Sequence, residues 1–296
     1  MSIMFRTYNP EPLFGEDYQK LRAFLLALGN PNWLSGRFDW MITHSMLDTE
    51  GLPRMGLWEE DGALIAAAVH DIFLGNGYLL ALPGYECLRE EMLRYAKTAM
   101  SKDGNFCVLI PQGDKALEGI AKGQGFRKIL DMEHDSVYPI GDPDAIAYAL
   151  PEGFSVTSLA DTPDWEKYGR VLWKGFNHER DGQGPFQFTE EKRKSLERAL
   201  LRPNVDLSLK IAVAAPGGEF VSYCGMWYDP ACESALVEPV ATDPDYRRRG
   251  LGRAAVLEGV RRCGLLGAKR AFVGSNQKFY YKIGFQPYAK SVWWKL

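Results

Sequence analysis

The chain has 296 residues, 46% hydrophobic and 25% charged, with a formal net charge of −3; this composition excludes a disordered or fibrous polymer and makes two globular domains the expectation. The longest uninterrupted apolar run, Ala63 to Val69, is far short of a membrane span, and Met1 to Thr7 lack the apolar core of a signal peptide. A cytoplasmic chain with no membrane partner is therefore expected. The five cysteines lack a Cys-x-x-Cys pair and the four histidines lack ligand spacing, so neither a disulfide framework nor a metal site is expected.

In chain order, apolar periodicity predicts helices over Tyr18 to Leu28 and Gly36 to Leu47. A hairpin follows, Gly56 to Glu59 and Ala63 to His70, turning at Glu60-Asp61-Gly62. Gly77 to Leu82 reads as a fourth strand, Glu86 to Met100 as a helix, Phe106 to Ile110 as a strand, and Ala116 to Lys122 as a helix ending in Gly123-Gln124-Gly125-Phe126. Gly141-Asp142-Pro143 and Pro151-Glu152-Gly153 then bracket a boundary.

The same order recurs beyond it. Phe154 to Leu159 reads as a strand, Trp165 to Phe176 and Thr189 to Leu201 as helices, with Thr189 as N-cap, and Leu209 to Ala214 with Phe220 to Tyr228 as a hairpin. The strand Ser234 to Thr242 leads into Asp243-Pro244-Asp245-Tyr246-Arg247-Arg248-Arg249-Gly250-Leu251-Gly252-Arg253, and Ala254, Val256, Leu257, Val260 and Cys263 recur at helical spacing after it. A strand, a glycine turn and a helix start together form an anion site, because the first helical N–H groups lack partners and glycines admit a close phosphate. Gly250-x-Gly252-x-x-Ala255 also fits a dinucleotide fingerprint, but no acidic residue follows Glu258 to hold a ribose. A P-loop is excluded because no Gly-Lys-Ser/Thr follows. Residues 259–296 carry eight basic and no acidic side chains, which suits a polyphosphate; without interleaved stacking aromatics and with a net acidic chain, a nucleic-acid partner is not expected.

Arg247-Arg248-Arg249-Gly250-Leu251-Gly252 resembles the acyl-CoA loop of the GCN5-related N-acetyltransferase (GNAT) family, Arg or Gln, two residues, Gly, one residue, Gly or Ala. Tyr280-Tyr281-Lys282-Ile283-Gly284-Phe285 resembles the closing Tyr-x-Lys-x-Gly-Phe signature of that family. With the repeat near 150 residues, the resemblance implies an α/β chain of two tandem GNAT-like domains, 1–145 and 152–296, each a mixed, mostly antiparallel twisted sheet flanked by helices. It implies acetyl-CoA as cosubstrate, held by Val240, Ala241, Thr242, Arg247, Arg248, Arg249, Gly250, Leu251, Gly252, Arg253 and Asn276, with no metal. Asn276 stands nearer the tyrosine than the asparagine the family often carries, whose place is taken by Val273.

The implied reaction is acetyl transfer to a primary amine of a small molecule or peptide by direct attack in a ternary complex; the alternative is a non-catalytic acyl-CoA sensor or structural protein. A longer acyl donor stays open, as does the choice of monomer or homodimer. Tyr280 is either the acid that protonates the departing thiolate or a buried structural tyrosine, with Tyr281 second in line. Glu238 either serves as base, directly or through water, or pairs with an arginine. The polar loop Asn177 to Phe186, with His178, Glu179 and Asp181, is the candidate acceptor wall. The N-terminal copy is expected to be degenerate: Leu82-Pro83-Gly84-Tyr85-Glu86-Cys87-Leu88 offers one glycine and no arginine, and Ala121 stands where the other copy has Tyr280.

Overall fold

The computed structural model describes residues 2–296. The elements in chain order are β1 (Met4–Thr7), α1 (Glu16–Leu28), α2 (Ser35–Thr43), β2 (Gly56–Glu60), β3 (Ala63–Val69), β4 (Asn76–Ala81), α3 (Arg89–Ala99), β5 (Cys107–Pro111), α4 (Lys115–Gly123) and β6 (Arg127–Pro139). They continue as β7 (Ser155–Ser158), α5 (Trp165–Gly175), α6 (Glu190–Leu200), β8 (Lys210–Ala214), β9 (Phe220–Trp227), β10 (Ser234–Thr242), α7 (Leu251–Leu265), β11 (Arg270–Val273), α8 (Lys278–Lys282) and β12 (Gln286–Lys295).

Two compact units form, and neither is continuous in sequence. One comprises Met1–Ser136, Gly274–Asn276 and Pro287–Leu296; the other comprises Val137–Val273 and Gln277–Gln286. A division at 145 and 152 therefore does not follow the packing at two places. Residues 137–145 belong with the second unit, where the Ile140 N–H donates to the Lys269 carbonyl and Tyr148 reaches Glu258 at 3.0 Å. The last strand belongs with the first, because β12 pairs antiparallel with β5 from Ser291↔Pro111 to Lys295↔Cys107. Sequence pattern cannot show which sheet a strand joins, since ladder partners are distant in the chain.

In the first unit the sheet runs β1-β2-β3-β4-β5-β12-β6. The β4–β5 ladder is parallel and ends after Asn76↔Cys107 and Gly77↔Val108, while β1 to β4 pair antiparallel. One face buries α1 and α2 through Leu21, Phe24, Phe38 and Met41; the other buries α3 and α4 through Met92, Leu93, Leu117 and Ala121. The strand β1 has no apolar alternation and was not expected. Its place is secured by Arg6, which bridges Asp17 and Glu59, both at 2.6 Å. The helix expected to reach Leu47 stops at Thr43, where the His44 N–H turns back to the Met41 carbonyl.

In the second unit the order is β11-β10-β9-β8-β7, antiparallel except for β10 and β11. Here α7 packs on one face through Leu251, Ala254, Ala255 and Val260, and α5 and α6 on the other through Tyr168, Val171 and Leu200. Thr189 caps α6 as expected, accepting from the Lys192 N–H at 3.1 Å.

On β6, strand alternation puts Glu133 and Asp135 on one face. Burial, followed by the neighbouring Glu133 and opposed by Arg37, pushes the Asp135 carboxyl up to about 7. An aspartate in the unfolded chain titrates near 3.9, so between about pH 4 and pH 7 unfolding releases a proton and stability falls as pH rises. Asp135→Asn removes that loss: its melting temperature should match wild type near pH 4 and exceed it at pH 8. Thermal unfolding at the two pH values checks this, and equal temperatures at pH 8 would contradict it.

Candidate functional site

In the second unit the ladder between β10 and β11 runs only from Ser234↔Arg270 to Leu236↔Phe272, whereas β10 stays paired with β9 out to Thr242↔Ser222. Beyond Leu236, then, one edge of β10 is open. On the β9 side, the Asp243 N–H donates to the Val221 carbonyl at 2.9 Å, and the Ala241 carbonyl accepts from Ser222 Oγ at 3.1 Å. Antiparallel alternation turns the N–H and C=O of Val240 and Thr242 the other way, towards the open edge. Arg247 Nε takes the Thr242 carbonyl at 3.1 Å. The N–H groups of Val240 and Thr242 and the Val240 carbonyl are left without a ladder partner.

Next along the chain, Asp243 is buried and holds the turn, accepting from Lys174 Nζ at 2.7 Å and from the Asp245 N–H at 3.0 Å. Arg248 and Gly250 both have left-handed backbone, φ 66° and 84°, which glycine adopts freely and arginine rarely. No side chain caps α7, in contrast to α5 and α6, which Asp164 and Thr189 cap. Its first intrahelical bond runs from the Ala254 N–H to the Gly250 carbonyl at 3.0 Å. The N–H groups of Leu251, Gly252 and Arg253 therefore lack intrahelical acceptors, and the helix dipole adds positive potential there. Arg248, Arg249 and Arg253 are exposed beside that end, with Arg249 Cζ 5.3 Å from the Tyr246 ring centroid.

The expected residues divide by what they touch. Arg247 is a brace: besides Thr242, it donates to the Gly175 carbonyl at 2.9 Å and to Asn177 Oδ1 at 3.0 Å. Ala241 directs its backbone to β9, and Leu251 buries its side chain in the core, offering only its N–H. Gly252 lies under Thr242 and Phe279; a Cβ there would come within 3.1 Å of Thr242 Oγ1 and 3.5 Å of the Phe279 ring. Asn276 is exposed, in the short segment Gly274–Asn276 that groups with the first compact unit immediately before α8.

Tyr280, 7% exposed, stands on α8 between Phe279 and Phe285, with ring centroids 5.0 and 5.4 Å away. Burial pushes its phenol pKa up, helped by the Cys224 thiol and the Glu238 carboxylate, so the hydroxyl keeps its proton. Tyr281 is exposed. Glu238 is half-buried on β10 within electrostatic reach of Tyr280. In the 177–186 loop, the His178 ring lies tilted against Trp173 with centroids 4.5 Å apart, Glu179 accepts from the Phe186 N–H at 3.3 Å, and Arg180 pairs with Asp245 at 2.9 Å. Asp181 is exposed.

Sequence reading missed Gly225, Trp227 and Lys210, which surround the β10 bulge. Gly225 in the middle of an apolar strand, opposite a strand containing Pro239, was the available signal. Among the described residues, no group of His, Cys, Asp and Glu could hold a metal ion, and no helix is long and apolar enough to cross a membrane.

Comparison with known proteins points the same way. The acetyltransferase (GNAT) domain model matches residues 208–287. A GCN5-related N-acetyltransferase from Sphaerobacter thermophilus superposes with a TM-score of 0.60 at 16% identity, over 99% of this chain and 95% of that one. A tandem GNAT protein from the clavulanic acid biosynthesis pathway gives a TM-score of 0.60 at 14% identity, over 100% and 98%. A putative acetyltransferase from Pyrococcus horikoshii gives 0.53 at 11%, over 99% and 89%. No curated protein sequence matches the chain. The fold is thus α/β with two tandem GNAT-like units, each a mostly antiparallel sheet flanked by helices.

Because Arg247 ties three protein acceptors together, Arg247→Ala should cost about 1–2 kcal/mol of stability. That is a fall of a few degrees in melting temperature, whereas Arg248→Ala, whose side chain holds no such set of acceptors, should leave it unchanged. Thermal unfolding of the two variants checks the contrast.

Proposed function

We propose that the second unit, which holds most of the residues matched by the acetyltransferase (GNAT) domain model in a chain that shares the fold of a tandem GNAT protein, transfers an acetyl group from acetyl-CoA to a primary amine of a small molecule or peptide. The observation that carries the reading is the set of unpaired N–H groups: those of Val240 and Thr242 at the open edge of β10, and those of Leu251, Gly252 and Arg253 at the start of α7. They suit the two polar parts of one elongated cosubstrate, an amide-bearing arm and a pyrophosphate.

In this reading, the uncapped end of α7 and the exposed guanidinium groups of Arg248, Arg249 and Arg253 bind the phosphates. The Val240 and Thr242 N–H groups and the Val240 carbonyl continue the sheet on to the pantetheine arm. Acetyl-CoA supplies an activated thioester. The Val240 N–H is a fixed donor for negative charge developing on the carbonyl oxygen, an effect worth about 3 kcal/mol in comparable sites. Glu238 receives the proton the amine gives up, directly or through water. Tyr280 donates a hydrogen bond to the sulfur as the C–S bond breaks, and the departing thiolate takes up the proton that the amine gave to Glu238 or to water. The raised pKa of Tyr280 makes it a hydrogen-bond donor throughout the working range rather than a strong acid.

The direct test is release of free thiol from acetyl-CoA with a panel of primary amines. Tyr280→Phe should lower kcat by about 100-fold while acetyl-CoA still binds. Wild-type kcat should show no loss from tyrosine deprotonation between about pH 7 and pH 9. Binding without thiol release for any amine, unchanged in Tyr280→Phe, would instead fit an acyl-CoA sensor. Arg248→Gly keeps the left-handed turn and removes one exposed cation, so CoA affinity measured by calorimetry should fall about 5-fold, or about 1 kcal/mol. The difference should shrink in high salt.

A further inference from the structure

The open edge of β10 exists because of a bulge, and the bulge has its own support. The β9–β10 register passes from Val237↔Met226 to Val240↔Cys224, so Glu238 and Pro239 together face the single residue Gly225. A Cβ on Gly225 would collide with the Glu238 carbonyl. A bulged strand loses ladder bonds at the extra residue, and the Glu238 carbonyl finds a side chain instead: Trp227 Nε1 donates to it at 2.8 Å. That indole is itself held. The Nζ of Lys210, a residue 2% exposed, lies 3.3 Å from the Trp227 ring centroid and donates to the Met226 carbonyl at 2.7 Å.

We infer that Trp227, seated on Lys210, is a positioning residue that aims the Val240 N–H by fixing the Glu238 carbonyl on the β9 side. Proline 239 has no N–H, so Val240 carries the first backbone donor after the held carbonyl. With the carbonyl fixed at one end and the Val240↔Cys224 pairing at the other, the short segment between them has little freedom. Trp227 is itself buried, 7% exposed, and a carbonyl that lost its bond there would be left unsatisfied, which favours rearrangement of the segment. The same bond anchors the main chain from which the Glu238 side chain projects. This inference rests on the proposed acetyl transfer for its kinetic consequence, but not for its structural one.

Trp227→Phe keeps an aromatic ring over Lys210 and removes the N–H. With the amine that supports turnover, kcat should fall about 10-fold while KM for acetyl-CoA changes less than about 2-fold, because the phosphate contacts are untouched. Lys210→Met, which leaves the indole N–H but removes the group beneath it, should give the same split more weakly. In the free protein, the 15N–1H resonance of Val240 should shift in Trp227→Phe, with faster hydrogen exchange confined to residues near the bulge. An unchanged kcat with a lowered melting temperature, or a tenfold rise in KM at constant kcat, overturns the inference. If no amine supports turnover in wild type, the acetyl-transfer reading fails, and the Val240 resonance decides the inference alone: shifted upholds it, unshifted overturns it.

Discussion

A β-sheet that parts in the middle must settle its backbone groups some other way, and the second unit is organised around that requirement. The β10–β11 ladder stops after Leu236↔Phe272, although β10 continues to Thr242. Buried backbone donors without partners are costly, so each group along the opened stretch has a distinct arrangement. The Glu238 carbonyl goes to the Trp227 indole and the Thr242 carbonyl to Arg247. Only the donors and the one acceptor that a linear ligand could use are left over. The uncapped start of α7 follows after the turn of residues 243–250 and supplies a second set of N–H groups without intrahelical acceptors.

The loop between them is built for rigidity more than for charge. Three consecutive arginines read as a basic cluster, but the first of them is structural, clamping the end of β10 to the carbonyl of Gly175 and the side chain of Asn177. Lys174 and Arg180 hold the preceding turn through Asp243 and Asp245. On the proposed reading a phosphate would meet a loop already held in place, with little ordering left to do on binding.

The first unit repeats the architecture with different residues in its turn. Its β4 and β5 also part, after Gly77↔Val108, and a helix again follows the strand. There the turn carries its own anion: the Gly84 N–H donates to the Glu86 carboxylate at 3.0 Å. Ala121, buried in the core, stands where the second unit has Tyr280. A backbone donor already bonded to a carboxylate offers little to a phosphate.

Local pattern determined much of this protein. The period of apolar residues marked most helices and core strands; Ser234 to Thr242 and the helix from Leu251 were legible because burial there repeats with the element's own period. The glycines and the Tyr280 to Phe285 signature were legible because a phosphate site and a helix start are neighbours in sequence. Tertiary structure decided what depends on distant partners. It assigned β12 to the first unit's sheet, because a strand's ladder is chosen by the edge it meets and not by its own residues. It made Arg247, and not Arg248 or Arg249, the brace, a difference set by where Gly175 and Asn177 stand, some 70 residues earlier. It brought Trp227 and Lys210 to the back of the bulge, where neither residue type announces a role. Sequence speaks through spacing along the chain; the direction of a backbone N–H is set by whatever holds the neighbouring carbonyl, and that is known only once the chain has folded.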